Sequence, residues 1–229
     1  MKKRLFTAVM ASMLLLAGCA APPQQPVTLS KNVLQTQGSR IGVAMAAPAK
    51  ANTSFPGAAC LLCLAAASMA NSSLTTHTQA LPLDDLLRLK TDVADALRKR
   101  GQAVTVIEEP IKLDDLPKLE AAPNKSRFDF SALRNKHGID KLLVISIDEL
   151  GMTRSYASYI PTSDPQGVVS GVGYMVNLRD NTYEWYLPVR QVKSAAGKWD
   201  EAPSFPGLTN AYFQAVEGTR DAVLQPLAE

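Results

Sequence analysis

The chain has 229 residues, with 24 Lys plus Arg against 21 Asp plus Glu and a formal charge of +3. That length fits one ordinary domain with an extension. So small a net charge gives no electrostatic case for nucleic acid as a partner.

Lys2, Lys3 and Arg4 precede an apolar run from Leu5 to Leu16, and small residues follow. A basic start, a short apolar stretch and small residues at a cut form a secretory signal peptide. About twelve apolar residues fall short of the roughly 20 that a spanning helix needs. Leu16-Ala17-Gly18-Cys19 resembles the lipobox of bacterial lipoproteins. The resemblance implies that residues 1–18 are removed and that Cys19 becomes the first residue and carries lipid. Ala20 stands where the enterobacterial inner-membrane retention signal has Asp, so the resemblance implies the periplasmic face of the outer membrane. Losing Lys2, Lys3 and Arg4 and no acid leaves 21 cations against 21 acids, a formal charge of zero.

Residues 19–38 begin Cys-Ala-Ala-Pro-Pro-Gln-Gln-Pro and lack the apolar density for a core, which predicts a lipidated flexible tether. Fully stretched, it would reach about 65 Å. Residues 39–229 then form one domain. Its first strand is Arg40–Ala46. Residues 47–80 form an apolar insertion, and Leu83–Arg100 is an amphipathic helix with Leu83, Leu86, Leu87, Val93, Ala94 and Leu97 on its buried face. Asp84 and Asp85 in its first turn, Arg98, Lys99 and Arg100 in its last, and Gly101 beyond suit the helix dipole and stop. Ala103–Ile107 is a strand, Leu113–Leu119 an ambiguous short helix, and a helix capped by Asp129 or Ser131 ends at His137-Gly138. The repeated Leu-Asp-Asp-Leu at 83–86 and 113–116 reads as two helix starts. Leu142–Ile147 is nearly continuous apolar, which predicts a strand covered on both faces. Val168–Leu178 and Thr182–Val192 form a hairpin, with Tyr174, Val176 and Leu178 alternating on one strand and Tyr183, Trp185 and Leu187 on the other. Leu208–Leu227 is a closing helix with Leu208, Tyr212, Ala215, Val216, Thr219 and Val223 inward. The order predicts a single α/β (α+β) domain, a mixed sheet with helices packed on it.

The run Ser131–Asp140 leading into a buried strand, and Val176-Asn177-Leu178-Arg179-Asp180-Asn181-Thr182-Tyr183-Glu184-Trp185, resemble a group of periplasmic lipoprotein domains. The group comprises the curli secretion channel lipoprotein, the penicillin-binding-protein activator lipoproteins and the amino-terminal domain of TolB. The resemblance spans roughly residues 38–228 and implies binding and assembly without catalytic residues. The 47–80 segment has no counterpart in it.

Cys60 and Cys63 are an even pair left after Cys19, and an oxidising compartment makes them a candidate disulfide. A redox pair would need a helix start that lowers the thiol pKa, but Gly57–Ala70 is an apolar setting. His77, in a Ser/Thr-rich stretch with no visible partner, and His137, at a helix end, are too few for a zinc site. Gly167, Gly171 and Gly173 lie in a strand, so they mark close packing rather than a phosphate loop. No catalytic residue, metal ligand or cofactor site is expected. Segment 57–70 is apolar on every side and must be buried in its own domain, a partner or a membrane face. The flanks Asn52-Thr53-Ser54 and Asn71-Ser72-Ser73 read as loops that let it swing out. Leu61, Leu62, Leu64 and Met69, with Tyr156, Tyr159 and Ile160 at a loop tip beside Pro161 and Pro165, are the candidate interaction surface.

These residues point to a non-enzymatic envelope lipoprotein, held to the membrane through Cys19, that binds other envelope proteins in a transport, secretion or wall-synthesis machine. Two alternatives are a thiol-disulfide redox protein using Cys60 and Cys63, and a structural lipoprotein that self-associates. No nucleic acid or small-molecule substrate is indicated. Cys19→Ala should leave an unlipidated precursor. Normal maturation and membrane retention of that variant, followed by fractionation and mass spectrometry, would refute the anchor.

Overall fold

The computed structural model describes residues 23–35 and 38–228, so the signal peptide and Cys19 lie outside the described residues. The chain forms α1 (Lys31–Gln35), β1 (Arg40–Met45), β2 (Asn52–Ser54), α2 (Leu61–Ala70), α3 (Ser72–Gln79), α4 (Asp84–Lys99) and β3 (Ala103–Val106). A 3-10 turn at Leu113–Asp115 follows, then α5 (Ser131–His137), β4 (Lys141–Thr153), β5 (Tyr156–Ala157), β6 (Ile160–Pro161), β7 (Gln166–Asn177), β8 (Thr182–Ser194) and α6 (Pro206–Ala228). This is the expected mixed α/β class.

The main sheet runs β3-β1-β4-β7-β8. β1 pairs in parallel with the first half of β4, from Ile41↔Lys141 to Met45↔Ile145. β2 pairs in parallel with its last three residues, Asn52↔Gly151 to Ser54↔Thr153. β7 and β8 complete the sheet antiparallel. β4 is twice the length of the apolar run at 142–147, because beyond Ile147 the run is broken by Asp148, Glu149 and Gly151 while pairing continues to Thr153. Gly151, at φ +126°, fits there because a Cβ would collide with the Asn52 backbone.

Helices α4 and α6 cover one sheet face. All six residues expected on the inner stripe of α6 are buried. On α4, Leu87 is exposed and Leu89 takes its place beside Leu86, Val93, Ala94 and Leu97, because 86, 89, 93 and 97 follow the three-four spacing more closely. The other face is covered by Ile107, Ile111, Phe130 and Ile139 from the 107–140 connection. Asp129 stands just before α5 and accepts the Ser131 N–H at 2.9 Å. That bond, with those from the Ser131 and Asn181 side chains, holds its carboxyl below the usual range. Gly138, in the left-handed region at φ +63°, ends α5.

Four expectations change. The tether expected over 19–38 is docked over its described part. Val27 exchanges two backbone hydrogen bonds with Tyr186, both 2.9 Å, and Leu34 is buried in the main core. Leu29 and Val33 pack against the same core. The flanks of the apolar segment are not loops, since Asn52–Ser54 is a strand and Ser72–Gln79 a helix carrying buried Leu74 and Thr78. These flanks cannot act as swing-out loops. The region 113–119 holds one 3-10 turn rather than a helix.

The fourth change concerns the hairpin. Tyr183 and Trp185 do not share a face. The β7–β8 register shifts between Met175↔Trp185 and Val176↔Tyr183, leaving Glu184 as an extra residue. Such a bulge reverses the alternation. Trp185 enters the helix-side core, while Tyr183 joins Tyr174 and Tyr186 on the opposite face. Glu184 turns inward to Lys141 at 2.8 Å. Lys141 also donates to the Val33 carbonyl at 2.8 Å, so the pair holds down α1.

Trp185 is 2% exposed and its ring packs on Gly173. Trp185→Ala should therefore lower stability by about 3–5 kcal/mol, read as a shifted urea midpoint with an unchanged slope.

Candidate functional site: an apolar tip braced from below

At the end of the sheet where β4 stops and β7 begins, α2 and the β5–β6 hairpin stand together. Only Cys63 and Ala67 of α2 are buried, packing with Ala58, Tyr156 and Phe55 into a small core of their own. The remaining large side chains face outward: Leu61 is 88% exposed, Leu62 72%, Met69 78% and Leu64 46%. On the hairpin Tyr159 and Ile160 are exposed as well. Tyr156, expected on this surface, is buried instead, because its ring lies edge-on to Phe55 at 5.9 Å and anchors the hairpin. Residues 51–83 contain no Asp, Glu, Lys or Arg. The exposed apolar side chains therefore have no charge interleaved on their own segment.

The tip is fixed to the domain by an arrangement that sequence reading missed. Asn71, buried, donates to the Ala67 carbonyl and to the Tyr156 hydroxyl, both at 2.7 Å. Its Oδ1 accepts from Arg154 at 2.9 Å. Arg154 also donates to the Ser163 carbonyl at 3.1 Å, and its guanidinium lies 4.8 Å from the Trp199 ring centroid. Trp199 stacks on Phe205, just before α6. One asparagine thus links the end of α2 to the hairpin, and one arginine links both to the main body. Tyr156 N–H donates to the Pro56 carbonyl at 2.8 Å. Gly57, at φ +87°, lets the two backbones touch where a Cβ would meet the Tyr156 carbonyl. His77 has the partner the sequence did not show: its Nε2 is 2.8 Å from the Thr209 hydroxyl, tying α3 to α6.

Cys60 and Cys63 form a disulfide with Cα atoms 4.9 Å apart. Cys60 is the N-cap of α2, its sulfur accepting the Cys63 N–H at 2.9 Å. The motif therefore opens a helix. The Cys60 sulfur also lies 3.7 Å from the Tyr159 hydroxyl, joining helix and hairpin across the tip. Among the described residues, no group of three or more His, Cys, Asp or Glu could hold a metal ion.

The fold and the site together define a mixed α/β domain carrying an exposed, rigidly mounted apolar surface. No family model matches the chain, and no curated protein is significantly similar to it. Solved structures similar to it include PelC from Paraburkholderia phytofirmans, crystallised as a dodecamer. PelC is 13% identical over 89% of this chain and 95% of that one, with a TM-score of 0.37. A Xanthomonas campestris protein of family model DUF330 is 13% identical over 90% and 92%, with a TM-score of 0.40. A Neisseria meningitidis lipoprotein, GNA1162, is 16% identical over 78% and 95%, with a TM-score of 0.26. At these scores the likenesses carry no functional weight. The resemblance to the curli-secretion, activator and TolB group rests on the sequence motifs alone.

Asn71→Ala should strand the Tyr156 hydroxyl and an Arg154 donor, at a cost of about 1–3 kcal/mol. The loss should be local, seen as faster amide exchange across 61–70 with the α4 and α6 amides still protected.

Proposed function

We propose that the chain is a lipid-anchored envelope protein that works by docking through this apolar tip rather than by catalysis. The observation that carries the reading is the exposure of Leu61, Leu62, Leu64, Met69, Tyr159 and Ile160 on one braced unit. Contiguous apolar surface of this kind marks an interaction site. Rigid mounting favours binding further, because little side-chain or backbone order is lost on contact. The lipobox at Leu16–Cys19 supports the anchor. Envelope proteins or further copies of the chain are the partners in this reading.

Leu61→Asp and Leu62→Asp test it. Both side chains stand in water, so the charge is not buried and the melting midpoint should hold. Oligomers and partners captured by crosslinking in whole cells should be lost. Variants that still assemble and capture as before would defeat the docking reading, and unfolded variants would return the segment to the core.

A second reading, thiol-disulfide exchange, is favoured by one observation: Cys60 is exposed at a helix N-terminus while Cys63 is buried behind it. That is where a thiolate is stabilised. A reduced Cys60 that reacts with iodoacetamide well below pH 8, in the same preparation, would support exchange. An inert thiol with normal assembly would support docking alone.

A further inference from the structure

The sheet face opposite α4 and α6 is covered only in part. Between the 113–128 connection and the strap at residues 23–25 lies an open groove of about 730 Å³. Its floor is three tyrosines brought together by the β8 bulge. Tyr183 and Tyr186 lie 4.9 Å apart, and Tyr174 lies 5.5 and 6.2 Å from them. Tyr174 is 4% exposed. Burial pushes the Tyr174 phenol far above its ordinary range, with Tyr183 and Tyr186 adding to it. Burial raises Tyr183 and Tyr186 as well, although the Tyr183 phenol is already hydrogen-bonded to the Ser126 side chain, which offsets part of its shift. All three phenols are therefore held neutral at neutral pH, and those of Tyr174 and Tyr186 can donate to a ligand. Lys125 and Arg127 stand among the lining residues, which include no Asp or Glu. Asp180 and Asp148 act on Lys125 and Tyr186 from outside the lining.

A ligand for this groove needs flat apolar faces for the rings, acceptor oxygens for the phenols, and no positive charge. A polyproline II segment supplies all three, because its backbone makes no internal hydrogen bonds and its carbonyls remain free. Aromatic-lined grooves are the recurring seat for such segments. Pro23, Gln24 and Gln25 already line the groove, with Gln24 donating to Asn124 Oδ1 at 3.0 Å.

We propose that the tyrosine groove formed by Tyr174, Tyr183 and Tyr186 binds an extended, proline-containing segment of another protein, with acidic residues facing Lys125 and Arg127. The segment runs beside the strap, its carbonyls accepting from the Tyr174 and Tyr186 phenols. The site is separate from the apolar tip and does not depend on what the tip docks.

The test is calorimetric titration of the purified chain with a synthetic decapeptide holding four prolines and one Glu at each end. Binding in the micromolar range is expected. Tyr174→Phe, which keeps the ring and the fold, should weaken it about tenfold, the value of one hydrogen bond from the Tyr174 hydroxyl to the ligand. Lys125→Ala and replacement of the prolines by Ala should each weaken it too, and the Leu61→Asp variant should bind normally. Absence of binding would overturn the proposal. So would binding that Tyr174→Phe leaves unchanged, or preferential binding of a maltooligosaccharide or a short-chain fatty acid offered in the same titration.

Discussion

Strand β4 has a paired neighbour along the length of one edge and at both ends of the other, and the other elements take their places from that ladder. β1 and then β2 occupy one edge in succession, while β7 follows the other edge from Lys141↔Asn177 to Thr153↔Gln166. Thirteen residues at about 3.3 Å each make a spine of roughly 40 Å. Its inner half, Leu142 to Ile145, is fully buried and sets the two cores. Its outer half holds β2 and, through it, α3, whose Thr78 hydroxyl meets that of Thr53 at 3.2 Å. The apolar tip is mounted on that outer half, which is why a small unit with few buried residues of its own keeps a fixed place.

The two surfaces differ in chemistry and in origin. The tip consists of aliphatic side chains outside any large core, held by polar bonds made beneath them. The groove consists of aromatic rings with hydroxyl tips, created by one extra residue in a strand. Without the bulge at Glu184, Tyr183 and Trp185 would share a face. Trp185 could not then fill the helix-side core while Tyr183 completes the tyrosine cluster. The same bulge delivers the Glu184 carboxylate to Lys141, an ion pair that also holds the Val33 carbonyl.

The main elements were legible because their signals are local. The spacing of α4 and α6, the charges at both ends of α4, Gly101 and the apolar run of β4 each follow from side chains a few residues apart. The apolar character of Leu61, Leu62, Leu64 and Met69 was equally plain. What escaped depends on contacts distant in sequence. Asn71 reads as a loop residue until Tyr156 and Arg154 are seen beside it. β2 has three polar residues and becomes a strand only because β4 extends far enough to pair with it. The hairpin alternation was misread at Tyr183 because a bulge leaves no mark in the pattern of apolar and polar residues. The docked strap was read as tether because its composition is that of a linker, although Leu34 has a core position waiting for it.

That strap changes how a lipid on Cys19 would hold the domain. Four peptide units separate Cys19 from Pro23, at most about 14 Å of chain, against the 65 Å of a free leash. Val27 sits beside Tyr186, which lies across β7 from the lower part of β4, so the strap belongs to the end of the spine remote from the tip. A domain anchored this way would be kept close to the lipid by a connection of a few residues, with its apolar tip carried at the far end of the spine from the point of attachment.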